Sequence, residues 1–171
     1  MSLEEARVII VVYTAVLLPL IIYFLNKSKI PSWVPTFYII AVTVCALGWE
    51  IWFTFGWLDG DPVDIRRSAV LNEWLPKNIN WLLNSMGDAG AVLLGGSWLM
   101  WLTHSKDNSV FLEWKWSAFI VLLAWCIGQN ILVEMFLYHD QLAEGKPLSW
   151  APLSPLGPYY NPILFEFNDR T

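Results

Sequence analysis

The sequence has 171 residues, of which 56% are hydrophobic and only 15% are charged, and it contains 12 tryptophans. Soluble domains carry about 25% charged residues, so this composition excludes an ordinary soluble domain and predicts an integral membrane protein. The net charge of −5 and the lack of a basic stripe exclude nucleic acid as a partner.

Two apolar runs near the N-terminus predict two transmembrane helices. The first span covers residues 6–25 and follows the acidic residues Glu4 and Glu5. A cleaved signal peptide would begin with basic residues, so we expect this helix to be retained. The second span covers residues 34–57, and a short loop separates it from the first.

The second loop has structure of its own. A turn at 59–62 is followed by a pattern that predicts an interfacial helix over about 64–75. Its arginines, Arg66 and Arg67, are expected to face water or headgroups. Its apolar side chains are expected on the membrane surface: Ile65, Leu71, Trp74 and Leu75.

Two further spans complete the predicted bundle, over residues 80–103 and 114–138. Tryptophans crowd the span ends, as in the aromatic belt at a membrane interface. A Pro-rich tail, 147–171, is expected to lie against the bundle. The predicted fold class is an all-α integral membrane protein of four transmembrane helices, one interfacial helix and this tail, in a single domain.

The basic residues of the loops indicate an orientation. Loop one carries Lys27 and Lys29 without acids, which favours loops one and three in the cytoplasm. The N-terminus and the second loop are then non-cytoplasmic, although Arg66, Arg67 and Lys77 in that loop oppose this orientation. The membrane itself is predicted to be a bacterial inner membrane or the endoplasmic reticulum.

Acidic residues inside the predicted spans are the strongest functional signal. Glu50, Asp88 and Glu134 come from three helices, and alternating span directions are expected to bring them to one half of the bilayer. Three adjacent carboxyl groups cannot all be ionised in an apolar site, so we expect them to share protons. Such a cluster suits general acid and base catalysis, or it can pair with a buried cation or a ligand amine. A purely structural role, in which the acids join helices through hydrogen bonds, is the alternative.

Other polar and aromatic residues are expected to line the same site as ligand-binding groups. Residues four apart share a helix face, which places Asn84 beside Asp88 and Asn130 beside Glu134. The ligand-binding candidates are Trp49, Asn84, Gln129, Asn130, Tyr138 and His139.

A metal or haem site is not expected. Di-metal carboxylate bundles use Glu-x-x-His pairs, and the sequence contains none. His139 is predicted beside the acids and His104 at the opposite membrane face. The two cysteines, Cys45 and Cys126, lie in apolar runs and match neither a disulfide framework nor a metal-site spacing. The sequence therefore predicts no metal and no cofactor.

Short motifs in the second, third and fourth spans are similar to those of a known family. Gly48-Trp49-Glu50 precedes the long loop, Met86-Gly87-Asp88 lies in a Trp-rich helix, and Gly128-Gln129 comes shortly before Glu134. This order resembles the EXPERA group, which includes the emopamil-binding sterol isomerases and sigma receptor-type membrane proteins. The family's isomerases carry a histidine one turn before the first acid, where this chain has Ala46.

The resemblance implies a helical bundle around a lipophilic pocket, with Glu50 and Asp88 as its two acids and Gln129 and Glu134 as further polar residues. The leading hypothesis is an intramembrane acidic pocket for a sterol- or isoprenoid-like molecule, with or without isomerase chemistry. The expected partner is a membrane lipid or a lipophilic small molecule. Two alternatives remain open: a proton- or cation-linked transport component, and an accessory subunit of a larger complex. A homo-oligomer is compatible with each.

Overall fold

A computed structural model describes residues 1–56 and 62–133. Every regular element in these two ranges is helical, which confirms the all-α prediction for that part of the chain. In chain order the helices are α1 (Leu3–Asn26), α2 (Val34–Leu47), α3 (Trp49–Phe55), α4 (Val63–Arg66), α5 (Ala69–Trp74), α6 (Lys77–Gly87), a π-helical segment (Asp88–Leu94), α7 (Gly95–Thr103), a 3-10 turn (Asn108–Phe111) and α8 (Trp116–Leu132).

The longest helical stretch runs through the middle of the molecule. α6, the π segment and α7 follow one another without a break, and their junction residues keep right-handed helical backbone angles. We call this stretch, residues 77–103, the central helix. It packs against α1, α2, α3 and α8. The central helix therefore positions the polar residues discussed below.

The helices alternate in direction, as the sequence predicts. At one end, the Ser68 hydroxyl donates a 2.6 Å hydrogen bond to Glu5 Oε1, joining the segment before α5 to the start of α1. At the other end, the rings of Trp33 and Phe111 lie 5.4 Å apart between loops one and three. The N-terminus and the 62–76 segment thus share one end of the bundle.

Within residues 1–56 and 62–133, length and composition single out one helix, α1, as able to cross a membrane by itself. A second span is obtained when α2 and α3, which meet at a 40° bend, are counted together. α8 is apolar but shorter over its described residues, and the central helix is divided by its π segment. The sequence predicts four spans, and the described helices provide one span, or two when α2 and α3 are counted together.

The observed element bounds extend or shorten the predicted spans by a few residues. The first and third begin three residues earlier, at Leu3 and Lys77, because a Ser2 capping box and Pro76 start these helices. α8 begins at Trp116 rather than 114. The end of the fourth span and the tail, 147–171, fall outside the described residues.

The interfacial helix predicted over 64–75 is two short helices instead. The chain leaves the helical conformation at Arg67, and Ser68 starts α5 by accepting a hydrogen bond from the Leu71 amide. Leu71 and Leu75 are completely buried against Val8 and Val12 of α1 rather than lying on a membrane surface. The expectation for Leu71 and Leu75 is therefore wrong.

Ile65 and Trp74 are exposed, as predicted for the membrane-facing side chains of this segment. Arg67, expected to face water or headgroups, is buried with only 5% of its surface exposed. The prediction fails because Arg67 finds hydrogen-bond acceptors inside the protein, as described below.

Candidate functional site

The bend between α2 and α3 sets the direction of Glu50. Gly48 lies at the bend, and a Cβ atom added to it would come within 2.7 Å of the Val44 carbonyl oxygen. The Trp81 indole N–H donates a 2.8 Å bond to the carbonyl oxygen of Ala46, near the end of α2. A small residue and a partner on the central helix thus fix the bend.

Glu50 is buried directly after this bend. It is 4% exposed and lies one turn from Thr54, which is completely buried. The Thr54 hydroxyl donates a 3.3 Å hydrogen bond to Glu50 Oε2. Trp49, a predicted ligand-binding residue, begins α3 and is half-buried. The structure therefore places Glu50 in the protein interior, as the sequence analysis expects for a carboxyl group in an apolar helix.

Asn80, Asn84 and Asp88 form a polar stripe along the central helix. Asn80 is completely buried and Asn84 is 9% exposed. Asn80 Oδ1 accepts a 2.9 Å bond from Arg67 Nη1, which fixes the amide orientation because a guanidinium only donates. Asn80 Nδ2 and Asn84 Oδ1 are buried without a hydrogen-bond partner among the described residues.

Glu50 follows the end of α2, and Asp88 opens the π segment of the central helix. The Trp81–Ala46 bond brings the end of α2 beside the central helix, and Asp88 lies seven residues beyond Trp81 along that helix. That these two acids share one depth stays a prediction.

The described part of α8 carries two of the predicted ligand-binding residues, Gln129 and Asn130. The Gln129 side-chain amide donates a 3.2 Å bond to the Cys126 carbonyl of its own helix. Asn130 Oδ1 is buried without a hydrogen-bond partner in the described part of the chain. Packing of Leu122 and Trp125 on Gly96 sets the register, which puts residues 129 and 130 near the level of Asp88. Glu134, Tyr138 and His139 lie outside the described residues.

A buried arginine is the main feature that the sequence analysis missed. Arg67 donates to Asn72 Oδ1 at 2.8 Å through Nε, to Asn80 Oδ1 through Nη1 and to the Leu75 carbonyl through Nη2. Burial lowers the pKa of the Arg67 guanidinium to about 10, which still leaves it charged at neutral pH. No helical spacing could have placed it there, because the chain leaves the helical conformation at Arg67.

The site can hydrogen-bond a polar group and hold protons, and it has no visible means of binding a metal. Within 1–56 and 62–133, no group of three or more His, Cys, Asp or Glu side chains is placed to hold a metal ion. A surface groove of 410 Å³ is lined by α1 residues, among them Ile10, Tyr13 and Leu17, and by neither Glu50 nor Asp88. The chain matches no known family model, no curated protein and no solved structure.

Proposed function

We propose that this protein is an integral membrane protein that binds a lipophilic molecule carrying a hydroxyl group, such as a sterol- or isoprenoid-like alcohol, against the polar stripe of the central helix. The observation that carries the proposal is the pair of unpaired buried atoms on that stripe. Asn80 Nδ2 is a donor and Asn84 Oδ1 is an acceptor.

A single hydroxyl group would satisfy both atoms. Asn80 and Asn84 are four residues apart and share one face of α6. A hydroxyl accepts from one group and donates to another, whereas an ammonium only donates and a carboxylate only accepts. Leaving a buried donor or acceptor unpaired costs about 1–3 kcal/mol, so a ligand that pairs both gains affinity from groups already buried.

The membrane setting is supported by the apolar surface of the bundle. A soluble protein rarely exposes large continuous apolar patches. Here exposed aliphatic side chains run along three helices: Ile10, Leu17, Leu18, Ile21 and Ile22 on α1, Ile39, Ile40, Val44 and Leu47 on α2, and Ile120, Leu123 and Ile127 on α8. Lipid would cover these side chains.

The four-span arrangement is part of the proposal. The central helix has 27 residues and is about 40 Å long, which exceeds the 30 Å hydrocarbon core of a bilayer. α1 and the α2–α3 pair supply two further spans. α8, which is apolar over Trp116–Leu132, supplies the fourth.

Asp88 and Glu50 are the two acids that would act on the ligand. Asp88 lies one turn beyond Asn84 on the stripe, beside the proposed hydroxyl site. Glu50 lies at the start of α3, beside Thr54. Proton transfer to a double bond of the ligand would use one of these carboxyl groups as the acid.

Native mass spectrometry of the protein released from lipid nanodiscs tests the proposal. The wild type is expected to retain a lipophilic alcohol, and Asn84→Leu, which removes the acceptor at similar volume, is expected to lose it. Thr43→Val is the matched control, because the Thr43 hydroxyl bonds only to the Ile39 carbonyl on an exposed helix face. Equal retention by Asn84→Leu and wild type, or no retained molecule in either, would refute the proposed site.

A further inference from the structure

The π-helical segment is an irregularity that needs support from outside its own helix. Asp88–Leu94 opens with a half-buried acid and continues directly into α7. π-helical turns are rare and are usually found at functional sites. Because they depart from the i to i−4 hydrogen bonding of an α-helix, they leave backbone groups to be satisfied by other residues.

Trp125 of α8 provides that support. Its indole N–H donates to the carbonyl oxygens of Ala91 and Val92, at 3.1 and 3.0 Å. The glycines that follow leave room for the ring, since a Cβ atom on Gly96 would lie 2.9 Å from Trp125 Cδ1. One side chain therefore holds both the carbonyls of the π segment and the start of α7.

The opposite face of the segment is fixed by α1. A Cβ atom on Gly90 would lie 2.9 Å from Pro19 Cγ, so only a glycine allows this approach without displacement. α1 and α8 thus hold the segment from two sides. In the described part of the chain, the contact with α1 is van der Waals packing, and the contact with α8 includes the two hydrogen bonds from the Trp125 indole.

We propose that Trp125 is the positioning residue for Asp88 and Asn84. Its indole N–H stabilises the π segment. The π segment in turn sets the rotation of α6, which carries the polar stripe, about the helix axis. A π turn contains one more residue than an α turn. Conversion to a regular α-helix would rotate the preceding residues by about 100°, the angle of one residue in an α-helix.

That rotation would move the stripe away from α2. In the present register the Tyr38 hydroxyl donates to the Met86 carbonyl at 3.2 Å, and α2 packs against both α6 and the π segment. These contacts tie the stripe to α2. The inference rests on the proposed function only through the role of Asp88, and its test reads helix rotation rather than ligand binding.

The test replaces Trp125 by 3-benzothienylalanine, which has nearly the same shape and lacks the N–H. In a Cys126→Ser background, Cys45 on α2 is the single thiol that N-ethylmaleimide can alkylate. Alkylation of Cys45 therefore reports on how closely the central helix packs against α2, and rotation of the stripe would disturb the packing that covers the thiol. We expect alkylation to accelerate about threefold or more, together with faster amide exchange over 88–94.

A deletion variant provides the rescue. Removing Ala91 takes one residue out of the π segment, so the segment can become α-helical while both halves of the central helix keep their orientation. In this variant the benzothienyl substitution is expected to have no effect on alkylation. The same substitution at Trp98, which is 57% exposed, is the control and is also expected to have none.

Two results would overturn the inference. One is an unchanged Cys45 alkylation rate and unchanged exchange over 88–94 in a Trp125 variant whose circular dichroism shows a folded protein. The other is accelerated alkylation that persists at the same level when Ala91 is deleted, since the effect would then not arise from the π segment.

If the benzothienyl variant does not fold, Trp125→Phe in the Ala91-deleted chain replaces it. Failure of that chain to fold would also count against the inference.

Discussion

Arg67 Nη1 lies 2.9 Å from Asn80 Oδ1, and this bond joins the segment between the second and third predicted spans to the polar stripe of the central helix. Both side chains are almost completely buried. Because Arg67 donates to Asn80 Oδ1, the Asn80 atom that can still hydrogen-bond a ligand is the donor Nδ2. A residue outside the spans therefore orients a residue of the proposed ligand site.

Arg67→Met is expected to destabilise the protein by about 2–4 kcal/mol, because it leaves the acceptors on Asn72, Asn80 and Leu75 without their donor. Unfolding by titration with a denaturing detergent measures the change. In a double-mutant cycle with Asn80→Leu, we expect a coupling energy of about 1.5–3 kcal/mol, as for a hydrogen bond to a charged group. Lys29→Met, at an exposed position, is the control; equal losses in both variants would contradict the account.

Gly48→Ala is expected to cost about 1–3 kcal/mol, because its Cβ would come within 2.7 Å of the Val44 carbonyl oxygen and force the bend to shift. Gly128 on α8 supplies the matched control, since a Cβ there meets no atom within 4 Å. Gly128→Ala should be neutral or stabilising by up to about 1 kcal/mol. Thermal unfolding of the two variants in the same detergent distinguishes them, and a neutral Gly48→Ala would show that the bend does not need glycine.

The ion pair between Lys77 Nζ and Asp64 Oδ2, 3.0 Å apart, predicts a small dependence of stability on pH. The hydrogen bond from Lys77 holds the pKa of Asp64 below its usual range. A depressed carboxyl pKa contributes stability above the unfolded value, near 4, and this stability is lost as pH falls. Both side chains are about one-third exposed, so we expect less than about 1 kcal/mol.

Unfolding measured between pH 6 and about 3 in wild type and Asp64→Asn checks this dependence. The two proteins should converge in stability as the pH falls. A stability difference that grows with falling pH would contradict the assignment of the ion pair.

The alternation of the helices predicts which surface positions lie on the same side of the membrane. In a chain without native cysteines, single cysteines at Ser2 and Ser68 should react with an impermeant reagent from one side. Cysteines at Ser32 and Asn108 should react from the other. The lysines of loop one predict that the second pair is cytoplasmic. Labelling of all four positions from one side would show that the bundle does not span the membrane.

Much of the helical framework could be predicted from the sequence. Long apolar runs bounded by proline, lysine and tryptophan predict the bounds of α1, α2 and α8 to within a few residues. These bounds are predictable because local composition determines where the three helices begin and end. The alternation of helices follows from short connections. The capping box at Ser2 and Glu5 was visible in the sequence and accounts for the earlier start of α1.

The irregular features could not be predicted in the same way. The bend at Gly48 and the π segment depend on indole groups 33 to 35 residues away, Trp81 and Trp125, that pair with backbone carbonyls. Helical spacing assumes regular turns, so it indicated neither of these irregularities. The burial of Arg67 likewise depends on Asn80, which is distant in sequence and close in space.

Photo-crosslinking tests the central claim most directly. The probe is a sterol-like alcohol carrying a diazirine, compared in nanodiscs with its methyl ether, which cannot donate a hydrogen bond to Asn84. The account predicts that the alcohol labels α2 and α6 near Cys45 and Asn84, that the ether does not, and that Asn84→Leu abolishes the difference. Equal labelling by the two probes, or labelling confined to exposed residues such as Ile39 and Leu47, would contradict a hydroxyl-binding site on the central helix.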